Sequence, residues 1–420
     1  MLFHPLGIAL LDALLKEKGV DSHVLDLTFS DREEALGCIV RMHPKIAGIY
    51  VMLTMTAQAL WLAARIREAL PETLLVCGGP LPTVRPAQFA GAFDVVFRGE
   101  ATRSFPLFCS EFLRKGKGEA LSRSGRYPGF HARELSTGTV IQTPAEALDE
   151  RGMRGLPLPD RSSFDHARYQ QAWFEREGFR PASIMTTFGC PHQCHFCSKP
   201  VFGSTFRRRD IQGVMEEVRD IREYGYDSLW IGDDCFTLDP GHVREFCRAM
   251  ISGRMDMGWT CLSRTGGVSR REVELMARAG CRKVFFGLES GSNAVLRLMN
   301  KHTTVEGAER AIGLFRAAGI EAAGFFMVGY PGETWDTIEE TFAWALGLPL
   351  SEISFTVPFP LPGTKLYEQV SGVQENADWS CENENRAVYS SGFDQARLTR
   401  RIEETCALFA ARRGQAGSRP

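Results

Sequence analysis

The sequence predicts an α/β protein in two parts: a doubly wound domain with a parallel sheet, then a partial barrel of six strand–helix units. Apolar runs alternate with helical stretches over residues 6–120, and the alternation resumes over residues 182–357. A proline-punctuated segment at 155–160 separates the two series. Alternation of this kind is typical of parallel sheets covered by helices. A chain of 420 residues is long enough for two or three such domains.

The first series, assigned to residues 1–125, has helical periodicity from residue 6 that stops at Gly19. A doubly wound domain usually opens with a strand. Here the helix begins almost at Met1 and the first strand is missing, so either the sheet is short by one strand or the start of this chain is late. Ligands of such sheets bind at the carboxyl ends of the strands, here near residues 54–56 and 78–83. The expected elements are helices at 6–19 and 57–70 and strands at 22–27, 46–53, 73–77 and 94–100.

Residues 126–180 are expected to form a hairpin around Thr137-Gly138 and a linker. Residues 181–365 form the predicted barrel, and residues 366–420 a small helical segment with a tail. A barrel carries its chemistry at the C-terminal ends of its strands. The expected barrel strands are 184–188, 228–232, 259–263, 283–288, 322–328 and 353–357, and the helices are 211–224, 242–252, 270–278, 293–300, 305–318 and 334–345.

Composition excludes several classes of protein. Hydrophobic residues make up 44% and charged residues 24%, which is ordinary for a globular domain. A net charge of −2 gives no electrostatic basis for binding nucleic acid or an anionic membrane. No apolar run is long enough to span a bilayer, and no signal peptide is recognised. Twelve cysteines are too few for a disulfide scaffold, so we expect a reduced, cytoplasmic protein.

Three of the cysteines form one group, Cys190, Cys194 and Cys197, directly after the first barrel strand. Three thiols are one ligand short of a closed tetrahedral zinc site or a fully ligated [4Fe–4S] cluster. A zinc site would need a fourth ligand such as His192 or His195. Zinc sites usually combine C-x-x-C with a second, distant pair, which the sequence lacks. An iron–sulfur cluster with one open iron is therefore favoured.

This C-x-x-x-C-x-φ-C run after the first strand of a barrel resembles the radical S-adenosylmethionine (SAM) superfamily. The resemblance implies that Cys190, Cys194 and Cys197 ligate a [4Fe–4S] cluster whose open iron is chelated by SAM. It also implies that Phe196 packs near cluster and adenine. In that superfamily, electron transfer cleaves SAM to a 5′-deoxyadenosyl radical.

Polar residues follow several of the later strands, where the superfamily holds SAM. Asp234 could instead cap the following helix, Arg264 could form a surface salt bridge, and Glu333 is expected to cap a helix. The glycines near residue 329 would allow the backbone to approach adenine closely. By the resemblance, the candidate SAM-binding residues are Phe196, Asp233, Asp234, Arg264, Glu289, Ser290 and Gly329.

The combination of Asp-Asp-Cys-Phe-Thr, Gly-Leu-Glu-Ser-Gly-Ser and Val-Gly-Tyr-Pro-Gly-Glu-Thr resembles the branch that carries a Rossmann-like, cobalamin-binding-type domain. In the first domain, Pro5-Leu6-Gly7 and the run 78–83 fit that branch, which implies cobalamin as a further cofactor. The D-x-H-x-x-G signature of a cobalt-ligating histidine is absent. Either cobalamin binds with no protein ligand on its lower face, or the domain is a relic that holds no cofactor. The candidate cobalamin residues are Thr54, Gly78, Gly79 and Thr83, whereas His4, His23 and His43 are expected to be surface or packing residues.

The leading hypothesis is a cobalamin-dependent radical SAM enzyme that methylates an unactivated carbon or phosphorus of a small molecule. A dehydratase, cyclase or rearrangement enzyme with a vestigial cobalamin domain is the alternative. A non-catalytic iron–sulfur or zinc protein is a third. The first two require an external electron donor of the flavodoxin or ferredoxin type, and none involves nucleic acid or membrane.

Overall fold

The computed structural model describes residues 2–133, 139–199, 201–267, 269–373 and 389–417. It contains two main sheets, one in each half of the chain, and a separate two-stranded pair. No helix among the described residues is long and apolar enough to cross a membrane.

The first sheet joins three parallel strands and an antiparallel hairpin in the order β1-β2-β3-β4-β5. Its two faces are covered by separate apolar clusters, one containing Leu15 and Phe108, the other Leu62 and Ile66. This is the predicted doubly wound arrangement. The strands are β1 (Ile46–Tyr50), β2 (Leu74–Gly78), β3 (Val95–Phe97), β4 (Phe130–Arg133) and β5 (Val140–Gln142), and the helices are α1 (Leu6–Glu17), α2 (Arg32–Met42), α3 (Thr56–Ala69), α4 (Pro80–Val84), α5 (Ser104–Lys115), α6 (Lys117–Ser122) and α7 (Glu150–Arg154).

One expected element of this domain is wrong: residues 22–27 do not form a strand. In doubly wound sheets of the order 2-1-3, the second strand pairs with the first. No strand precedes α1 in the described part of the chain, so this segment lacks its hydrogen-bonding neighbour. Asp26 and Thr28 instead bind the Tyr169 hydroxyl, at 2.7 and 2.9 Å. The expected turn at Thr137-Gly138 lies outside the described residues, although β4 and β5 pair as a hairpin around it.

The second sheet has six strands in the order β13-β12-β11-β10-β9-β6, all parallel. Its two ends are not joined, so it is the partial barrel that the sequence predicts. The strands are β6 (Pro181–Ile184), β7 (Thr187–Phe188), β8 (Arg207–Arg208), β9 (Ser228–Ile231), β10 (Gly258–Ser263), β11 (Cys281–Glu289), β12 (Glu321–Met327) and β13 (Glu352–Thr356), and the helices are α8 (His166–Glu177), α9 (Ile211–Glu223), α10 (Pro240–Ser252), α11 (Arg270–Arg278), α12 (Asn293–Leu298), α13 (Val305–Ala317), α14 (Trp335–Gly347), α15 (Lys365–Gln369) and α16 (Gln395–Gly417).

Alternate residues of the barrel strands face opposite sides. Phe286 and Phe326 belong to the large core beneath the helices. Their neighbours Phe285 and Phe325 therefore lie on the concave face, where their rings stack with centroids 5.5 Å apart. Trp230 joins them at 5.1 Å from Phe285. These three rings form an aromatic layer inside the barrel, below the carboxyl ends of the strands.

The expected first barrel strand, 184–188, is two elements. β6 ends at Ile184, and β7 leaves the sheet to pair antiparallel with β8. The break lies at Met185–Thr186, where the side chain of Asp233 accepts a hydrogen bond from the Thr186 backbone N–H at 2.6 Å. The chain is thereby redirected into the cysteine loop.

Candidate functional site

The cysteine loop begins and ends at the short β7–β8 pair, in which Phe188 is aligned with Arg207. At its start, Gly189 has φ +80°, and a Cβ there would lie 2.1 Å from the Thr205 carbonyl oxygen. Only glycine tolerates both this conformation and this closeness. Further along, the Lys199 ammonium donates to the Cys190 carbonyl at 2.6 Å. The loop is therefore folded back on itself by backbone contacts.

A second set of hydrogen bonds fixes the loop to the end of α12. The His195 N–H donates to the Met299 carbonyl at 3.0 Å, and the Asn300 side-chain amide donates to the Gln193 carbonyl at 2.7 Å. The Leu366 N–H donates to the His195 carbonyl at 2.8 Å. The middle of the loop is thus held by two distant segments of the barrel domain.

The three thiols of the loop are close enough to influence one another. Cys197 is exposed as a residue, but desolvation around its thiol raises the pKa of Cys197 to about 11, and Cys194 and Cys190 add to the shift. The Arg264 guanidinium donates to the Cys194 sulfur at 3.4 Å. Within the described ranges, no three His, Cys, Asp or Glu side chains are arranged to hold a single metal ion. The donor set is three thiols, the ligand type that iron–sulfur clusters take.

Asp233 and Asp234 follow β9 but have different surroundings. Asp233 is fully buried and accepts hydrogen bonds from the hydroxyls of Thr186 at 2.5 Å and Thr187 at 2.8 Å. Burial raises the pKa of Asp233 to about 6, against the effect of these donors. Asp234 is exposed; desolvation raises the pKa of its carboxyl, and Lys199 opposes the shift. Asp233 therefore ties β9 to the start of the cysteine loop, and Asp234 is the carboxylate that remains accessible.

A buried ion pair lies at the end of β11. The Lys301 ammonium is 2.6 Å from a Glu289 carboxylate oxygen, and the two side chains are 8% and 9% exposed. The ammonium also lies 5.7 Å from the centre of the Phe196 ring. A Cβ on Gly287 would be 2.6 Å from the Glu289 carboxylate, so glycine is needed beside the pair. Arg264 donates to the Lys301 carbonyl as well as to Cys194, which joins the pair to the cysteine loop.

Ser290 and Gly329 face the protein rather than the mouth of the barrel. The Ser290 hydroxyl is fully buried, 3.1 Å from the Thr341 hydroxyl. Gly329 has φ +85°, and a Cβ there would lie 2.9 Å from a Leu398 methyl group. The C-terminal helix α16 therefore packs against the turn after β12.

Glu333 closes that turn, because one of its carboxylate oxygens accepts the Tyr330 N–H at 2.7 Å. Its other oxygen and the Tyr330 hydroxyl are buried and have no hydrogen-bond partner among the described residues. Burial raises the pKa of Glu333 to about 7. Two buried polar atoms near the cysteine loop thus lack hydrogen-bond partners among the described residues, and polar groups of a ligand would satisfy them.

The candidate cobalamin residues meet at the carboxyl edge of the first sheet. Gly79 has φ +115°, and a Cβ there would lie 2.7 Å from the Val51 carbonyl oxygen. The buried Thr83 hydroxyl donates to the Gly79 carbonyl at 2.7 Å and accepts the Gly99 N–H at 2.9 Å. Gly78 ends β2, and Thr54 follows β1 with a buried hydroxyl that has no partner in the part of the chain described. The turn at Gly79 brings the backbone close to the edge of the sheet, and the Thr54 hydroxyl there could bind a ligand. Both features fit a sheet edge that is covered by a large cofactor such as cobalamin.

The histidines of this domain lie elsewhere. His4 is buried against α8 and 2.9 Å from the Tyr226 hydroxyl. Burial lowers the pKa of His4 to about 3, and positive charge at His166 and Arg161 adds to the effect. His23 has a side chain that is 63% exposed, and His43 ends α2.

Two residues that hold this region together, Lys301 and Arg207, are not apparent from the sequence motifs. Lys301 follows α12, twelve residues after Glu289, and the Glu289 carboxylate at the end of an apolar strand already implied a counter-charge. Arg207 pairs with Glu100 of the first domain; both side chains are buried, at 8% and 2% exposed. No pattern in the sequence links these two, because the contact depends on how the domains meet.

Comparisons with known proteins agree with this geometry. The family model described as radical SAM superfamily matches residues 184–345, and the B12 binding domain model matches residues 1–108. The chain is 29% identical over 374 residues to an uncharacterized methyltransferase, PH0819, of Pyrococcus horikoshii, covering 87% of this chain and 78% of that protein. It is 26% identical over 395 residues to an anaerobic magnesium-protoporphyrin IX monomethyl ester cyclase of Rubrivivax gelatinosus, covering 90% and 68%.

Among solved structures, the radical SAM methyltransferase TsrM of Kitasatospora setae, determined with cobalamin and a [4Fe–4S] cluster, has a similar fold. The TM-score is 0.76 at 20% identity, with 89% of this chain and 76% of that chain covered. This chain therefore combines a radical SAM domain with a B12-binding domain, and the cofactors of these two domains are a [4Fe–4S] cluster, SAM and cobalamin.

Proposed function

We propose that this enzyme transfers a methyl group to an unactivated carbon, or phosphorus, of a small-molecule substrate. The observation that carries the proposal is the buried Glu100–Arg207 contact, which brings the B12-binding edge to the base of the cysteine loop. Two cofactors with complementary chemistry would then face one reaction space. The chain is similar over most of its length to a protein that is named as a methyltransferase.

The residues divide into three groups by the cofactor that they would hold. Cys190, Cys194 and Cys197 would ligate the cluster, which their thiol-only donor set fits. Asp234, Arg264 and Glu289 would bind polar groups of SAM beside Phe196, whereas Asp233, Ser290 and Gly329 would shape the site from behind. Thr54, Gly78, Gly79 and Thr83 would hold cobalamin.

When bound, the cluster with SAM supplies a 5′-deoxyadenosyl radical that removes a substrate hydrogen, and cobalamin supplies a methyl group taken from a second SAM. The chain's part is positioning and exclusion of water. The aromatic layer of Trp230, Phe285 and Phe325 closes the barrel below the site. Arg264 places positive charge beside the Cys194 sulfur and would bind the SAM carboxylate, while Lys301 is paired with Glu289 beside the Phe196 ring. Electrons would come from an external flavodoxin- or ferredoxin-type donor, in the reducing cytoplasm.

The second candidate is a radical cyclase or rearrangement enzyme, favoured by the similarity to the cyclase of Rubrivivax gelatinosus. The two candidates differ in the fate of SAM. Methyl transfer uses two SAM molecules per turnover: one is converted to S-adenosylhomocysteine and the other is cleaved to 5′-deoxyadenosine. A cyclase forms 5′-deoxyadenosine alone.

Mass spectrometry of the nucleoside products tests the proposal. Protein reconstituted with iron, sulfide and cobalamin would be incubated anaerobically with SAM, reductant and candidate substrates. We expect both nucleosides in equal amounts with the accepted substrate. Cys194→Ala should abolish 5′-deoxyadenosine, whereas Cys406→Ala, which changes a cysteine outside the cysteine loop, should not. Formation of 5′-deoxyadenosine without S-adenosylhomocysteine would favour the cyclase. If the protein does not bind cobalamin at micromolar concentration, both the cobalamin site and the proposed methyl transfer are wrong.

A further inference from the structure

The junction between the two domains contains a buried ion pair, Glu100 with Arg207. Glu100 follows β3 of the first domain, and Arg207 forms half of the strand β8 that closes the cysteine loop. The Leu148 N–H donates to Glu100 at 3.2 Å, and Arg207 donates to the Leu148 carbonyl at 3.2 Å. Three segments that are far apart in sequence are therefore joined at one point: the loop after β3, the linker, and the base of the cysteine loop.

On one side, the pair is connected to the B12-binding edge by backbone contacts. Glu100 directly follows Gly99, whose N–H donates to the Thr83 hydroxyl at 2.9 Å. The same hydroxyl donates to the Gly79 carbonyl at 2.7 Å. Arg98 donates to the Thr83 carbonyl at 3.2 Å. Because these bonds hold the turn together, a displacement of Glu100 would move the turn that is expected to hold cobalamin as a unit, relative to the cysteine loop.

On the other side, the pair is connected to the thiols. Arg207 is aligned with Phe188, two residues before Cys190, and donates to the Phe202 carbonyl at 3.1 Å. The Phe188 and Phe202 rings stack at 4.6 Å, and the linker residues Leu148 and Met153 pack in the same apolar cluster. Arg207 therefore anchors both ends of the cysteine loop.

We propose that Glu100 and Arg207 are positioning residues that hold the cobalamin edge and the cluster loop at the separation needed for methyl transfer. The proposal rests on the function proposed above and assigns this pair a role in it. Neither residue is expected to touch a cofactor. Breaking the pair should therefore leave the binding of each cofactor intact and reduce the step in which both take part.

The first test measures the junction itself, in protein without cofactors. Arg151 and Arg154 lie on α7, which contacts β8, and both are exposed. In Glu100→Gln, tryptic cleavage after these arginines should be about tenfold faster, because loosened segments open locally more often. Arg208→Gln alters the neighbouring, 46% exposed residue of the same strand and should leave the cleavage rate unchanged. Equal cleavage rates in both variants and the parent would overturn the proposal.

The second test separates positioning from stability. The double variant Glu100→Gln/Arg207→Met leaves no buried unpaired charge and should regain most of the thermal stability that Glu100→Gln loses. Both variants should bind cobalamin within about threefold of the parent affinity, which is a difference below 1 kcal/mol. Both should form S-adenosylhomocysteine about tenfold more slowly, equivalent to about 1.4 kcal/mol, while 5′-deoxyadenosine formation changes little.

The outcomes distinguish the two proposals. If the parent protein forms 5′-deoxyadenosine but no S-adenosylhomocysteine, the proposed methyl transfer fails, and the proteolysis test still decides whether the pair holds the junction. If the parent forms both nucleosides and the folded double variant forms both at the parent rate, the positioning role is wrong and the proposed function stands. Loss of cobalamin binding in the folded double variant would also contradict the positioning role, since the pair would then act in binding.

Discussion

Replacing Lys301 with methionine should strongly destabilise the site, because it leaves the Glu289 carboxylate buried without its counter-charge. The two charged atoms are 2.6 Å apart, and such a pair attracts with roughly 6 kcal/mol at an effective dielectric constant of about 20. Desolvation of both ions opposes this attraction. Removing one member of a buried pair costs on the order of 3–5 kcal/mol, and we expect Lys301→Met to fall in that range.

Urea unfolding of the cofactor-free protein, followed by circular dichroism, measures this loss. The matched control is Glu289→Gln/Lys301→Met, which removes both charges and should recover most of the stability. A second control, Lys365→Met, removes an exposed lysine that pairs with Glu368 at 2.7 Å, and should cost roughly 0–1 kcal/mol. A loss below about 1 kcal/mol in Lys301→Met would contradict this prediction, because the pair would then behave as an exposed one.

Three further predictions concern the loop, the N-terminal segment and Asp233. Gly189→Ala should lower the iron retained after reconstitution several-fold, because its Cβ would meet the Thr205 carbonyl oxygen. The control Gly213→Ala, in α9, should retain as much iron as the parent, because a Cβ there has no atom within 4 Å. Since the pKa of His4 is lowered to about 3, the unfolded chain takes up a proton below pH 6.5 that the folded chain does not. The free energy of unfolding of the parent should therefore fall by about 2 kcal/mol between pH 6.5 and 5. The fall should be smaller in His4→Phe and the same as in the parent in the exposed control His23→Gln. The pKa of Asp233 is raised to about 6, so its contribution to stability has the opposite sign and falls by about 2 kcal/mol as pH rises from 4 to 6. Urea titrations of Asp233→Asn should lack this loss, and a pH profile like that of the parent would contradict the effect assigned to burial.

Much of the barrel could be predicted from sequence, because its strands are apolar runs between amphipathic helices whose period is unambiguous. Residues 22–27 show the limit of this reasoning: the segment has a strand pattern, but a strand also needs a neighbour. The split of 184–188 into β6 and β7 was equally hidden, since it depends on Asp233 binding Thr186 across the sheet.

The candidate site shows the same division. Three thiols on one loop can be recognised from spacing alone. Asp233 and Asp234 have different surroundings because the Thr186 and Thr187 hydroxyls donate to Asp233. The sequence places two identical residues side by side and does not show which of them receives these hydrogen bonds. Arg207 acts through a contact between the two domains, so only the structure reveals it. Lys301 lies twelve residues after Glu289, whose place at the end of an apolar strand is the signal that could have found it.

The central claim is that the cluster and cobalamin act together on one substrate in this chain. The most direct measurement is the ratio of S-adenosylhomocysteine to 5′-deoxyadenosine formed anaerobically by the reconstituted protein with its accepted substrate. We expect equal amounts of the two nucleosides, with 5′-deoxyadenosine lost in Cys194→Ala. Formation of 5′-deoxyadenosine with no S-adenosylhomocysteine, while cobalamin is bound, would contradict it.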